Sequence, residues 1–279
     1  MIQWAIFNMD KSHTKITKAS LDAIKIEVPL EDNKILAEVV KRINSNDEIK
    51  TLWKIINVNA IDRLGMSDHG PTHFKIVANN GLKIARMLAK HKVVMSVADD
   101  FGLTNDHAEV IIFLACIMHD LGMSIHREDH EAFSLFLAKP LLEEVLHFLP
   151  DEERVVAISE VLHAIISHRA YGKPSTIEGG IIRIADALDM GKGRARISYK
   201  RGEINIYSVS DNAIVKLDIL EGKERPVEVR IYMTNPAGIF QVDDLMKEKL
   251  KGSKLEKYIS VSVYLLENGR DKLYKEYNL

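Results

Sequence analysis

The 279-residue chain has one cysteine, Cys116, so no disulfide can close within it. Cys116 lies inside an apolar run, where a small thiol packs as a core residue, and the chain fits a reducing compartment. It also lacks charge of one sign: 38 Lys and Arg stand against 40 Asp and Glu, leaving a net charge of −2. So small an excess gives no reason to expect a protein that coats nucleic acid. No run approaches the roughly 20 apolar residues that span a bilayer, and no membrane partner is expected. The opening MIQWAIFNM lacks the basic lead and small-residue cleavage site of a signal peptide, which makes the cytoplasm the expected location. No repeat or low-complexity tract is evident. The remainder, 46% hydrophobic and 28% charged, is ordinary for a globular protein, and the length suits one large core or two domains.

Helical periodicity dominates what is there. Residues 1–30 form an arm or lead-in with no clear pattern. From Glu31, Ile35, Leu36, Val39, Val40 and Ile43 recur at three- and four-residue steps. A second helix spans 47–63, with Ile49, Leu52, Trp53 and Ile56 on one face and Gly65 as its stop. Pro71 opens a third, whose buried stripe is expected at Ile76, Val77, Ile84, Met87 and Leu88. Thr104 caps the helix that carries nine consecutive apolar residues, 110–118. Helices follow at 129–148, at 151–169 and after Pro174. Beyond Gly191 the period changes from 3.6 to 2: stretches 195–200, 203–209, 213–220, 226–233 and 258–266 read as strands, with a helix at 243–251. The expected architecture is a helical domain over 31–192, followed by an α+β domain over 193–279. The second part is read as a ferredoxin-like, ligand-sensing or dimerisation module, and an exposed strand edge there would serve a homodimer.

The chain has 11 histidines, several at metal-ligand spacing. His119-Asp120 ends the long apolar run, and burying two such groups without partners is costly. His69 and His73 are four apart, as are His126 and His130, which places each pair on one helix face. His163 and His168 follow, and Asp186 interrupts the apolar segment IIRIADALDM. Imidazoles with two or three carboxylate oxygens suit Zn, Mn, Fe or Co better than Ca. Read alone, Asp186 could equally pair with Arg183 or Arg194. His91, His107 and His147 read as surface residues, the methionines as core filler, and His13 carries no signal. The glycine-basic run 191–196 reads as a linker, and the turn at 235–240 as structural.

Over residues 65–195 the sequence resembles the HD superfamily. The resemblance is carried by His73-Phe-Lys-Ile-Val77-Ala78, by His119-Asp120-Leu-Gly122, and by Asp186 in Arg-Ile-Ala-Asp-Ala-Leu-Asp. It implies an all-helical bundle and a metal-dependent phosphohydrolase acting on phosphoesters, often of nucleotides. One divalent ion would be held by His73, His119, Asp120 and Asp186. A second would use His130 and His168, with His69 standing where some members place an acidic ligand. The second ion's element departs from the family: Arg169 stands where a second histidine is usual. Met123 replaces the lysine of the HD-GYP subgroup and no Gly-Tyr-Pro segment is present, so a cyclic-di-GMP diesterase is not expected. A glutamate at the nucleotidase position is also missing.

The implied cofactor is one or two divalent transition ions (Mn, Fe, Co, Ni or Zn, with Mg also admitted). Such an ion lowers the pKa of bound water toward about 7, and paired ions clamp phosphoryl oxygens. Asp120, with two oxygens, is the natural bridge. Arg127, Arg169 and Lys173 are the cations expected to meet developing negative charge. The expected partner is a small phosphorylated substrate, a nucleotide by preference. Two alternatives remain, a regulatory protein with a structural HD site and a diiron oxygenase of HD type.

Overall fold

The structure, a computed structural model, describes residues 16–169, 171–190, 210, 212–267 and 270–277, without the side chains of 244–246. The strands expected at 195–200 and 203–209, the run at 191–196 and the boundary near 192 lie outside the described residues.

Nine helices, α1 to α9, are described ahead of a four-stranded sheet. Four begin where a polar side chain accepts a first-turn N–H. Thr17 caps α1 (Lys18–Asp22), Asn33 caps α2 (Lys34–Ser45) and Asn46 caps α3 (Asp47–Asn57), which continues as one π-helical turn, Val58–Arg63. Pro71 occupies the first turn of α4 (Pro71–Lys90), where its missing N–H costs nothing. After α5 (Ser96–Phe101), Gly102 takes a left-handed φ of 69° and stops the helix. Then come α6 (Asn105–Met118), α7 (His130–Val145), α8 (Asp151–Ser167) and α9 (Ile177–Ala187), the last capped by Thr176.

Helix α6 is the axis of the bundle. It packs on α2, α4, α8 and α9, and all of residues 110–118 are buried. A helix apolar all round has no solvent face to give up, which is why it sits at the centre. By length and composition Asn105–Ser124 is apolar enough to cross a bilayer, contrary to the sequence expectation, but it is mostly buried inside the bundle. Two other expectations are corrected. Ile76 lies 39% exposed on α4, and His107 is buried at the start of α6, 2.9 Å from Thr104 Oγ1 and 3.1 Å from Glu153 Oε2.

The sheet has the order β1 (Ile214–Glu221), β2 (Val227–Met233), β3 (Ile259–Glu267), β4 (Arg270–Tyr277). The outer pairs are antiparallel and β2–β3 is parallel. A parallel pair needs a crossover, supplied by a helical stretch over 239–250, here α10. Among the described residues the order is β-β-α-β-β, which differs from the β-α-β-β-α-β of a ferredoxin-like module. Strand β4 is a finding of the structure alone; its RDKLYKEY sequence has no apolar alternation.

This α+β part docks on two helices. β1 and β2 pack on α4, and α10 packs on α9. At Gly180 of α9 an added Cβ would stand 2.1 Å from the Ser253 carbonyl oxygen, so only glycine allows the two backbones this close. The buried apolar residues of both parts form one continuous cluster.

Candidate metal centre

Each histidine of the centre is aimed by its far nitrogen. His119 caps the C-terminus of α6 and its Nδ1 lies 2.9 Å from the Cys116 carbonyl oxygen. His168 caps α8, with Nδ1 2.6 Å from Ile165 O, and His130 opens α7, with Nδ1 2.9 Å from Arg127 O. His73, on α4, instead has Nδ1 2.6 Å from Asp189 Oδ2. A carbonyl or carboxylate oxygen can only accept, so each Nδ1 donates and Nε2 presents a lone pair on His73, His119 and His168, while His130 Nε2 also donates, to Asp120 Oδ1.

These four Nε2 atoms gather around two carboxylates. Asp186 Oδ1 is 3.5 Å from His73 Nε2 and 3.7 Å from His119 Nε2. Asp120 Oδ2 is 3.8 Å and 3.5 Å from the same two atoms. Its other oxygen, Oδ1, is 3.0 Å from His130 Nε2 and 3.8 Å from His168 Nε2. The centre therefore has two lobes that share Asp120. Among the described residues, three sets place their ligand atoms within 4.8 Å of one another: His73/His119/Asp186, His119/Asp120/His168 and His130/Glu131/His168.

A cation fits this geometry. His73 Nε2 and His119 Nε2 face each other at 3.2 Å, and both their Nδ1 protons are committed elsewhere. Two imidazole lone pairs beside the buried Asp120 and the partly exposed Asp186 carboxylate are mutually repulsive unless positive charge lies between them. The protonation states agree. Burial pushes the Asp120 carboxyl up, but His119, His130 and His69 together hold it well below the usual carboxylate range. Burial likewise raises Asp186, and Lys249, His119, His73 and His168 outweigh it. Burial lowers His119, and it pushes His168 down to about 3 with help from His119 and Lys249. His130 is raised, since its hydrogen bond to Asp120 overcomes burial. The centre thus offers anionic carboxylates with neutral imidazoles at His119 and His168, which is the ligand form for a divalent transition ion.

Residues 72–191 match the HD domain family. An uncharacterized protein of Methanocaldococcus jannaschii is 40% identical over 217 residues, 77% of this chain and 84% of the relative. The chain belongs to the HD-domain family. No solved structure matches it. HD domains form a superfamily of metal-dependent phosphohydrolases, and residues 72–191 contain every histidine and carboxylate of the two lobes.

The HD turn itself is held from three sides. Gly122 N donates to Ser134 Oγ at 2.8 Å, the Asn59 amide donates to Met123 O and Ser124 O at 2.9 Å each, and Trp53 Nε1 donates to Ile117 O at 3.1 Å. Outside the lobes, His69 is buried with Nδ1 2.9 Å from Ser67 O, its ring 5.8 Å from that of His73. His126 is exposed and its Nδ1 accepts from Glu128 N, while His163 Nε2 accepts from Ser175 N at 3.0 Å, away from the cluster. Arg127 is exposed, with Nη1 3.4 Å from His130 Nδ1. Arg169 and Lys173 are exposed.

Sequence reasoning missed Asp189, Glu131, Ser134 and Lys249. Asp189 had a readable signal, since it lies three residues after Asp186, just past the C-terminus of α9. Lys249 had none. It comes from α10, and its Nζ pairs with Asp186 Oδ2, the oxygen turned away from the histidines.

Proposed function

We propose that this HD protein hydrolyses a phosphoester of a nucleotide or related phosphorylated metabolite, using two divalent transition ions. One observation carries the reading: Asp120 divides its two oxygens between two histidine pairs, His73/His119 and His130/His168. The first lobe takes His73, His119, Asp120 and Asp186. The second takes Asp120, His130 and His168, with Glu131 nearby, its Oε2 3.4 Å from His130 Nδ1. Ions bound there supply water of lowered pKa and polarise the phosphoryl oxygens.

The chain's own residues do the rest. Asp189 and the carbonyls of Cys116, Arg127 and Ile165 lock the imidazole orientations, so little reorganisation is needed at reaction. Arg127, beside His130, supplies positive charge at one lobe, with Arg169 and Lys173 on the neighbouring surface.

The test is metal analysis of the purified full chain combined with a phosphatase screen over nucleotides and sugar phosphates. Two ions per chain and phosphate release are expected, with His119→Ala and Asp120→Ala each lowering release by at least roughly 100-fold, the upper end of what losing a mere outer partner costs. Undiminished release in either variant, or a metal-free wild type that remains active, would sink the reading. An iron pair that consumes oxygen and frees no phosphate would replace it with the oxygenase alternative.

A further inference from the structure

The centre is not sealed evenly. Side-chain exposure is 0% at His73 and His119 and 4% at Asp120 and His168, against 9% at His130, 13% at Asp186 and 12% at Lys249. The least buried side chains at the centre are Asp186, Lys249 and His130. One of these three is a lysine from outside the HD domain.

We propose that Lys249, carried into the centre by the C-terminal part of the chain, is the cation that binds the substrate's phosphoryl group. This rests on the phosphohydrolase reading above. Three observations support it. Asp186 Oδ1 faces His73 and His119 while Oδ2 takes Lys249, so the ammonium stands one carboxylate away from the ion locus. An anion bound at that locus lies within its reach. Next, the ammonium has three donors, and among the described residues only Asp186 accepts from it, which leaves donors for a ligand. A half-satisfied, largely desolvated lysine is expensive as a mere strut, because a hydrophobic contact would do that work without the desolvation cost.

Finally, the position is built. Arg183, one turn before Asp186 on α9 and 2% exposed, donates from Nε to the Lys249 carbonyl at 2.7 Å and from Nη2 to the Glu248 carbonyl at 3.0 Å. Its Nη1 donates to the Arg169 carbonyl. The same helix therefore grips Lys249 by backbone and by side chain. Lysine is a compact point charge suited to a phosphate oxygen, and preorganised positive charge is what a phosphoryl transition state requires.

The experiment uses the full chain loaded with Mn²⁺ and titrates inorganic phosphate calorimetrically, with metal affinity followed separately by chelator competition. Lys249→Met is expected to weaken phosphate binding about 10- to 100-fold without weakening metal binding, because removing a positive charge cannot repel a cation. Lys249→Arg should recover most of the phosphate affinity. Should Lys249→Met fold poorly, Lys249→Gln keeps a hydrogen bond to Asp186, loses only the charge, and should show the same loss. Wild-type phosphate affinity in either neutral variant overturns the assignment, as does equal weakening of metal and phosphate binding, the signature of a strut. These outcomes are independent of the hydrolysis assays: a chain that binds metal and phosphate but splits no phosphoester defeats the proposed function and not this role for Lys249.

Discussion

The histidines of the centre are oriented through the ring nitrogen that faces away from the cluster, and that is where residue-scale predictions lie. Asp189 Oδ2 holds His73 Nδ1 at 2.6 Å. Asp189→Asn removes the charge that makes His73 a stronger ligand, and should cost about 10- to 100-fold in metal affinity; chelator competition measures it, and an unchanged affinity would show the contact to be idle. His168 makes a pH prediction. Burial, His119 and Lys249 push it down to about 3, against 6.5 for a free imidazole. Between those values the unfolded chain binds a proton that the folded, metal-free chain does not, so stability present above pH 6.5 is lost as pH falls toward 3. The slope contributed is at most about 1.4 kcal/mol per pH unit. Urea unfolding in chelator at pH 6.5 and pH 5 should show a flatter dependence in His168→Gln, and an identical slope would count against a neutral buried His168. At this scale His73, His119, Asp120 and Asp186 were legible because each sits in a short local pattern. Lys249 was not, because a lysine near the end of an amphipathic stretch reads as a solvated charge.

Among elements, the decisive piece is the turn from α6 into α7. A Cβ on Gly122 would stand 2.0 Å from the His130 carbonyl oxygen and 2.7 Å from the Ser134 nitrogen. The HD turn thus lies directly against the first turn of α7, and that contact sets His130 Nε2 3.0 Å from Asp120 Oδ1. Gly122→Ala must push α7 outward. It should destabilise the fold by about 1–3 kcal/mol and weaken binding of the second ion more than the first, read by denaturation and by stoichiometric metal titration. A stable variant holding both ions normally would refute the coupling. The helices were readable because their apolar residues recur with period 3.6, and strands β1 to β3 because theirs alternate. Strand β4 was not, since seven of its eight residues face at least partly to solvent and no buried face leaves its mark on the sequence. His107 misled for the reverse reason: a polar residue in a first helical turn looks exposed, but here it completes the cap with Thr104.

For the molecule as a whole, the HD helices and the sheet share one apolar core, and Arg183 is a buried polar fastening between them, alongside Lys90–Glu221, Lys254–Ser175 and Lys249–Asp186. The Arg183 guanidinium satisfies the carbonyls of Glu248, Lys249 and Arg169. Arg183→Met leaves those acceptors without this donor in a buried setting, where each costs about 1–3 kcal/mol. A loss of several degrees in melting temperature is expected, together with weaker phosphate binding as Lys249 loses its hold. A variant that melts like the wild type would show that Arg183 does not hold the C-terminal part in place.

What the sequence determined by itself was local: the helical periods, the buried character of residues 110–118, and the His, His-Asp and Asp signals of the first lobe. Each depends on spacing within one element, which the chain displays directly. Only the tertiary structure decided that Asp120 is shared by two lobes, that Asp189 holds His73 from behind, and that Lys249 pairs with Asp186. Those facts depend on how α9 meets α4 and α10, and contacts between elements distant in sequence leave no period or spacing in it.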